Sequence, residues 1–73
     1  MALIHLVEDD EIFAQSVQGV LERRNHEVHF FTTPHAFFYQ LTKQPPRCAI
    51  VDWMLPEMIG VDVIRRLRQQ MGR

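Results

Sequence analysis

The strongest constraint on this chain is an alternation: three short apolar runs of strand length are interleaved with segments whose apolar residues recur at helical spacing. Leu3 to Val7 is the first run. It ends abruptly at Glu8-Asp9-Asp10, and its length and apolar character suit a strand buried on both faces. Asp10 is placed to cap a helix that carries Ile12, Phe13, Val17, Val20 and Leu21, with Glu22, Arg23 and Arg24 outside. Asn25 supplies a left-handed stop. Gly19 costs about 1 kcal/mol against alanine inside such a helix, which hints at a close packing neighbour.

A second strand follows from Glu27 to Thr32 through Val28, Phe30 and Phe31, and Thr33-Pro34 then offers a capping hydroxyl with proline at the first helical position. The short second helix carries Phe37, Phe38 and Leu41. Gln44-Pro45-Pro46 ends it, and Cys48 to Val51 forms the third strand, closed by Asp52. Beyond a loop through Pro56 and Gly60, the residues Val61, Ile64 and Leu67 mark a third amphipathic helix with a basic outer face.

The order βαβαβα predicts a parallel sheet with right-handed crossovers. Placing the first helix on one face and the second on the other makes strand one central, with the order 2-1-3. The reversal then lies between strands one and three, where open α/β sheets hold ligands.

Glu8 and Asp9 sit at the carboxyl end of strand one, and Asp52 at the carboxyl end of its neighbour. Two carboxylates about 4 Å apart repel by roughly 4 kcal/mol at an effective dielectric near 20, so the cluster calls for raised pKa values or a cation. Only oxygen donors are on offer, which favours magnesium over zinc or copper. A magnesium ion would also fit Asp52 for attack on phosphorus by offsetting its repulsion from phosphate oxygens. The plainer reading is that Asp9 and Asp10 cap a helix and Asp52 is a solvated strand end. Convergence of two separate acidic positions on one point of the fold weighs against it.

The run Leu6-Val7-Glu8-Asp9-Asp10, together with Val51-Asp52-Trp53-Met54-Leu55-Pro56 and Gly60, resembles the receiver domain of two-component response regulators, with its D-x-x-x-P-x-x-x-G phosphoacceptor loop. The resemblance covers the whole chain. It implies a flavodoxin-like, CheY-like doubly wound sheet of which residues 1–73 are the N-terminal part. It also implies that Asp52 receives a phosphoryl group from the histidine of a sensor kinase. Asp9, Asp52 and the Met54 carbonyl would bind magnesium, with Glu8 assisting through water. The family's hydroxyl residue after strand four and lysine after strand five would fall beyond Arg73, and Lys43, the only lysine, lies on the second helix. The chain is therefore expected to be a fragment of a longer regulator or a naturally short form of one.

In the order 2-1-3, strand three is an edge whose apolar residues invite pairing, so a homodimer or larger assembly is expected to cover it. Cys48, the single cysteine, excludes an internal disulfide, and its apolar run reads as reduced, buried core in the cytoplasm. The N-terminus has no signal-peptide pattern and no run long enough to span a membrane. A net charge of −1 gives no general attraction for nucleic acid, so a DNA-binding domain is expected only beyond Arg73, as the family implies.

Other residues have plainer readings. His5 is expected to be a hydrogen-bonded core histidine, and His26, His29 and His35 form no metal motif. Trp53 is expected to pack at a loop margin. The methionines Met1, Met54, Met58 and Met71 form no stripe, and Phe30, Phe31, Phe37, Phe38 and Tyr39 read as core, not as a base-stacking platform. Three functions compete. The first is a phosphoacceptor switch, and the second a non-catalytic interaction module that pairs with a kinase or regulator. The third, a metal-dependent phosphatase with an aspartyl nucleophile, ranks last because Met54 stands where its second acid belongs.

Overall fold

The structure is a computed structural model and describes residues 1–52, 55 and 58–70. Its elements are β1 (Leu3–Val7), α1 (Glu11–Arg23), β2 (Glu27–Phe31), α2 (Pro34–Leu41), β3 (Cys48–Val51) and α3 (Gly60–Gln70). The strands form one sheet in the order β2-β1-β3. Both pairings are parallel, with Leu3 to Val7 aligned on Glu27 to Phe31 and Ile4 to Val7 aligned on Cys48 to Val51. The expected doubly wound order 2-1-3 is therefore present, and it brings the end of β1 beside the end of β3.

Local signals set the helix ends. The Asp10 carboxylate accepts a hydrogen bond from the Phe13 N–H at 3.1 Å, and the Thr33 hydroxyl accepts one from Ala36 at 3.2 Å, with Pro34 at the start of α2. Asn25 has φ 73°. The Asn25 and His26 N–H groups donate to Glu22 and Leu21 at 3.0 and 3.2 Å, which closes α1 in a Schellman motif. Among the described residues Gly19 has no close packing neighbour, contrary to expectation. A methyl group there would meet only the flexible end of Arg23, at 3.6 Å.

Alternation along β1 divides the core in two. Ile4 and Leu6 join Val28 beneath α1, where Ala14 is buried and Val17 and Leu21 pack at the margin. Val7 faces the other way, into a cluster with Phe37, Phe38 and Leu41 of α2, Val63 of α3 and Leu55. Arg66 also lays its guanidinium over the Phe38 ring at 4.4 Å, tying α3 to α2.

Four burial expectations are corrected, the first being Tyr39, which is exposed on α2 and not core. Cys48 is exposed and not core, because β3 is an edge strand and its α1-side positions lie beyond the single helix on that face. Ile12, Phe13 and Val20 are exposed on α1, whose contact with the sheet runs through Ala14, Val17 and Leu21 instead. On α3, Val61 and Ile64 are exposed, while Val63 and Leu67 face the core.

Candidate functional site

The geometry of the acidic site follows from the ends of two neighbouring strands. The Glu8 N–H donates to the Phe31 carbonyl at 2.9 Å, which extends the ladder one residue past β1. The Asp52 N–H donates to the Val7 carbonyl, also at 2.9 Å, and does the same for β3. These two bonds fix Glu8 against β2 and Asp52 against the central strand β1. One carboxylate oxygen from each of Glu8, Asp9 and Asp52 lies within 4.8 Å of the others.

The acids of the Glu8-Asp9-Asp10 run divide their work. Asp10 turns away to cap α1, and its own N–H donates to Glu8 Oε2 at 3.2 Å, holding that carboxylate in place. Asp9 is exposed and Asp52 half-buried, whereas Glu8 is buried. Burial pushes the Glu8 carboxyl above its ordinary value, and the neighbouring Asp9 and Asp52 charges push it further, partly offset by the Asp10 N–H. Three hard oxygen donors of like charge, one of them largely removed from water, fit a small divalent cation and offer nothing to a soft one.

Of the expected site residues, Glu8, Asp9 and Asp52 are brought together, while Met54 lies outside the described residues, as does Trp53. Leu55 is a buried residue near the site in sequence whose packing the sequence did not announce. Three positions after Asp52, it is buried against the α2 and α3 cluster. The apolar stretch Trp53-Met54-Leu55, cut off by Pro56, is too short to show a periodicity that would announce this burial.

His5 is fully buried, as a core histidine should be, but neither ring nitrogen has a hydrogen-bond partner among the described residues. The expected hydrogen bond is absent because aromatic rings surround it. Phe31 and Phe37 stand edge-on at 5.1 and 5.9 Å between centroids, and His29 stacks on it at 5.9 Å.

Comparison with known proteins agrees with this geometry. The family model for the response regulator receiver domain matches residues 4–72. The chain is 34% identical over 67 residues to the phosphate regulon transcriptional regulatory protein PhoB of Rhizobium meliloti (strain 1021), covering 92% of this chain and 30% of that protein. It is 25% identical over 68 residues to the response regulator protein TodT of Pseudomonas putida, covering 93% of this chain and again 30% of the relative. Among solved structures, the N-terminal domain of a response regulator receiver protein from Methanoculleus marisnigri JR1 superposes with a TM-score of 0.88 at 20% identity, covering 93% of this chain and 55% of that one. A sensor protein from Polaromonas sp. JS666 gives 0.87 at 28% identity, covering 92% and 54%. The chain thus spans under a third of these curated relatives and just over half of the solved chains. With its sheet order, its paired acidic strand ends and a family match over nearly its whole length, the chain belongs to the response regulator receiver domain family.

Proposed function

We propose that this chain is a phosphoacceptor module of two-component signalling, phosphorylated on Asp52 by the phosphohistidine of a sensor kinase. The observation that carries the reading is the convergence of the Glu8, Asp9 and Asp52 carboxylates within 4.8 Å at the carboxyl ends of β1 and β3. Asp9 and Asp52, with the Met54 main-chain carbonyl, would hold magnesium, and Glu8 would assist through water. When bound, magnesium supplies positive charge that offsets repulsion between the acids and an incoming phosphoryl group. An Asp52 carboxylate oxygen forms the new bond to phosphorus as the bond from phosphorus to the donor's imidazole nitrogen breaks. The departing nitrogen keeps the electron pair. Glu8, held above its ordinary pKa by burial, must release its proton to assist the ion. Cation affinity therefore falls as pH drops through that raised value.

The test is intact mass after incubation with acetyl phosphate and magnesium, with Asp52→Asn and metal-free controls and folding checked by circular dichroism. A metal-dependent phosphoryl adduct lost in Asp52→Asn is the expected result. A folded, magnesium-binding chain without the adduct overturns this reading.

A second reading rests on β3. It is an edge strand among the described residues, with Cys48 and Ile50 exposed, and such an edge suits an interaction module that pairs with a second copy or another regulator. Binding unaffected by Asp52→Asn is what this reading expects. No helix of the described residues is long and apolar enough to cross a membrane, and a cytoplasmic site of action is part of the proposal. Since the PhoB relative is a transcriptional regulatory protein, DNA binding is proposed only for sequence outside this segment.

A further inference from the structure

The buried imidazole of His5 has no part in the phosphoacceptor reading, and its surroundings are unusual for a histidine. It occupies the middle of the central strand with no exposed surface, and both ring nitrogens lack a hydrogen-bond partner among the described residues. A neutral imidazole tolerates this at the cost of unsatisfied polar atoms. A charged one cannot be hydrated there, and the aromatic rings of Phe31 and Phe37 return only part of the hydration lost.

The facing groups give a protonated His5 no relief. From β2, His29 is its register partner and stacks on it with the rings 19° from parallel. The Glu27 carboxylate is engaged by His29 Nε2 at 2.8 Å, on the exposed margin. From α2, the group against His5 is the Phe37 ring. His35 and Tyr39 of that helix are exposed, and Lys43 just beyond it lies over the Tyr39 ring at 4.9 Å. From β3, the register partner is Ala49. Among the described residues no carboxylate faces His5, and the one titratable group that does, His29, would repel it when charged. Burial, then, and secondarily His29, depress the His5 pKa below its ordinary value of 6.5.

We propose that His5 is a pH-sensitive latch between β1 and α2: neutral, it floors the pocket that seats Phe37, and protonated, it must leave that floor, so that α2 loosens from the sheet while α1 on the opposite face stays docked. The placement makes the effect local. Phe37 is the fully buried residue that joins α2 to both Phe31 and His5, whereas α1 packs on Ile4, Leu6 and Val28 of the other face. The direction follows from linkage. A histidine with a depressed folded pKa contributes stability in full above the unfolded value of 6.5 and loses it as pH falls below that toward the folded value. Within that window, one excluded proton changes the folding equilibrium by up to about tenfold per pH unit.

The test combines urea unfolding of the full 73-residue chain between pH 5 and pH 8 with amide exchange resolved by helix. His5→Leu, His29→Gln and His26→Gln are run in parallel. The last is the control, a histidine outside the His5 pocket whose Nδ1 accepts a hydrogen bond from the Ala2 N–H at 3.2 Å. The expected result is a wild-type equilibrium that weakens several-fold below pH 6.5, a largely flat profile for His5→Leu, and a persistent slope for His26→Gln. Once corrected for intrinsic exchange rates, α2 amides should lose protection at lower pH before those of α1. An unchanged slope in His5→Leu, equal loss of protection in both helices, or a chain already unfolded at pH 8 would each overturn the proposal.

Discussion

On one face of the sheet, Val7 and its neighbours are sealed by two helices, with Phe37, Phe38, Leu41, Leu55 and Val63 in a continuous cluster. On the other, Ile4, Leu6 and Val28 are covered by α1 alone, chiefly through Ala14, and the same face of β3 is left with Cys48 and Ile50 exposed. Both faces are built from the same strands, so the difference lies in the helices each receives. Large aromatic side chains fill the two-helix side, while a small residue brings a single helix close on the other. The first face concentrates cohesion and the second keeps open surface.

The largest expected effect comes from truncating the anchor of the sealed face. Phe37→Ala should cost about 3–5 kcal/mol, the sum of lost transfer energy and the cavity left behind. A single core of this size supplies little more than that in total, so the variant should be largely unfolded by circular dichroism in dilute urea. Ile12→Ala, on the exposed side of α1 at 78% accessibility, should stay within about 0.5 kcal/mol of the parent. Similar midpoints for the two would break the comparison.

This contrast also separates what the sequence reveals from what it conceals. Asp10, Thr33-Pro34 and Asn25 are legible because caps and left-handed stops act over three or four residues, and each occupies its expected place. The acidic site is legible for a different reason. Strand order alone carries Glu8, Asp9 and Asp52 to one point, whatever the helices do in detail. The phase of the helices is less legible. Apolar spacing nominates Ile12, Phe13 and Val20 as readily as Ala14, and only the number of helices on a face decides which are covered. Cys48 misleads for the same reason, since strand order marks β3 as an edge but does not say that α1 leaves its side of that strand uncovered. His5 could be assigned to the core, but its lack of a partner depends on the register with His29 and the seating of Phe37.

An intermediate effect should follow from altering how closely α1 approaches the sheet. Ala14 has no exposed surface and sits within the cluster of Ile4, Leu6 and Val28, so Ala14→Leu must push the helix outward or force its neighbours off their preferred rotamers. Overpacking of this kind costs about 1–3 kcal/mol, readable as a lower urea midpoint. If α1 is as loosely seated as its exposed apolar residues suggest, the loss will fall at the lower end of that range. A loss matching that of Phe37→Ala would show that the sparsely covered face is as tightly packed as the sealed one.

The smallest effect on stability should come from Ile50, and it is the most informative about the open face. Ile50 lies on edge strand β3 at 40% exposure, in register with Leu6 on the α1 face of the sheet, where that helix leaves it uncovered. Replacing it with threonine keeps the β-branched shape that suits a strand and removes apolar surface from an edge able to pair with another chain. The unfolding free energy should therefore change by no more than about 0.5 kcal/mol, as for other surface substitutions. If self-association uses this edge, sedimentation velocity should show less assembly in Ile50→Thr than in the parent at equal concentration. The same substitution would leave assembly unchanged if copies meet through α3, where Val61 and Ile64 are exposed beside Arg65 and Arg68. A parent that is monomeric across the micromolar range would remove the second copy from the account and leave the open face of β3 to a different partner.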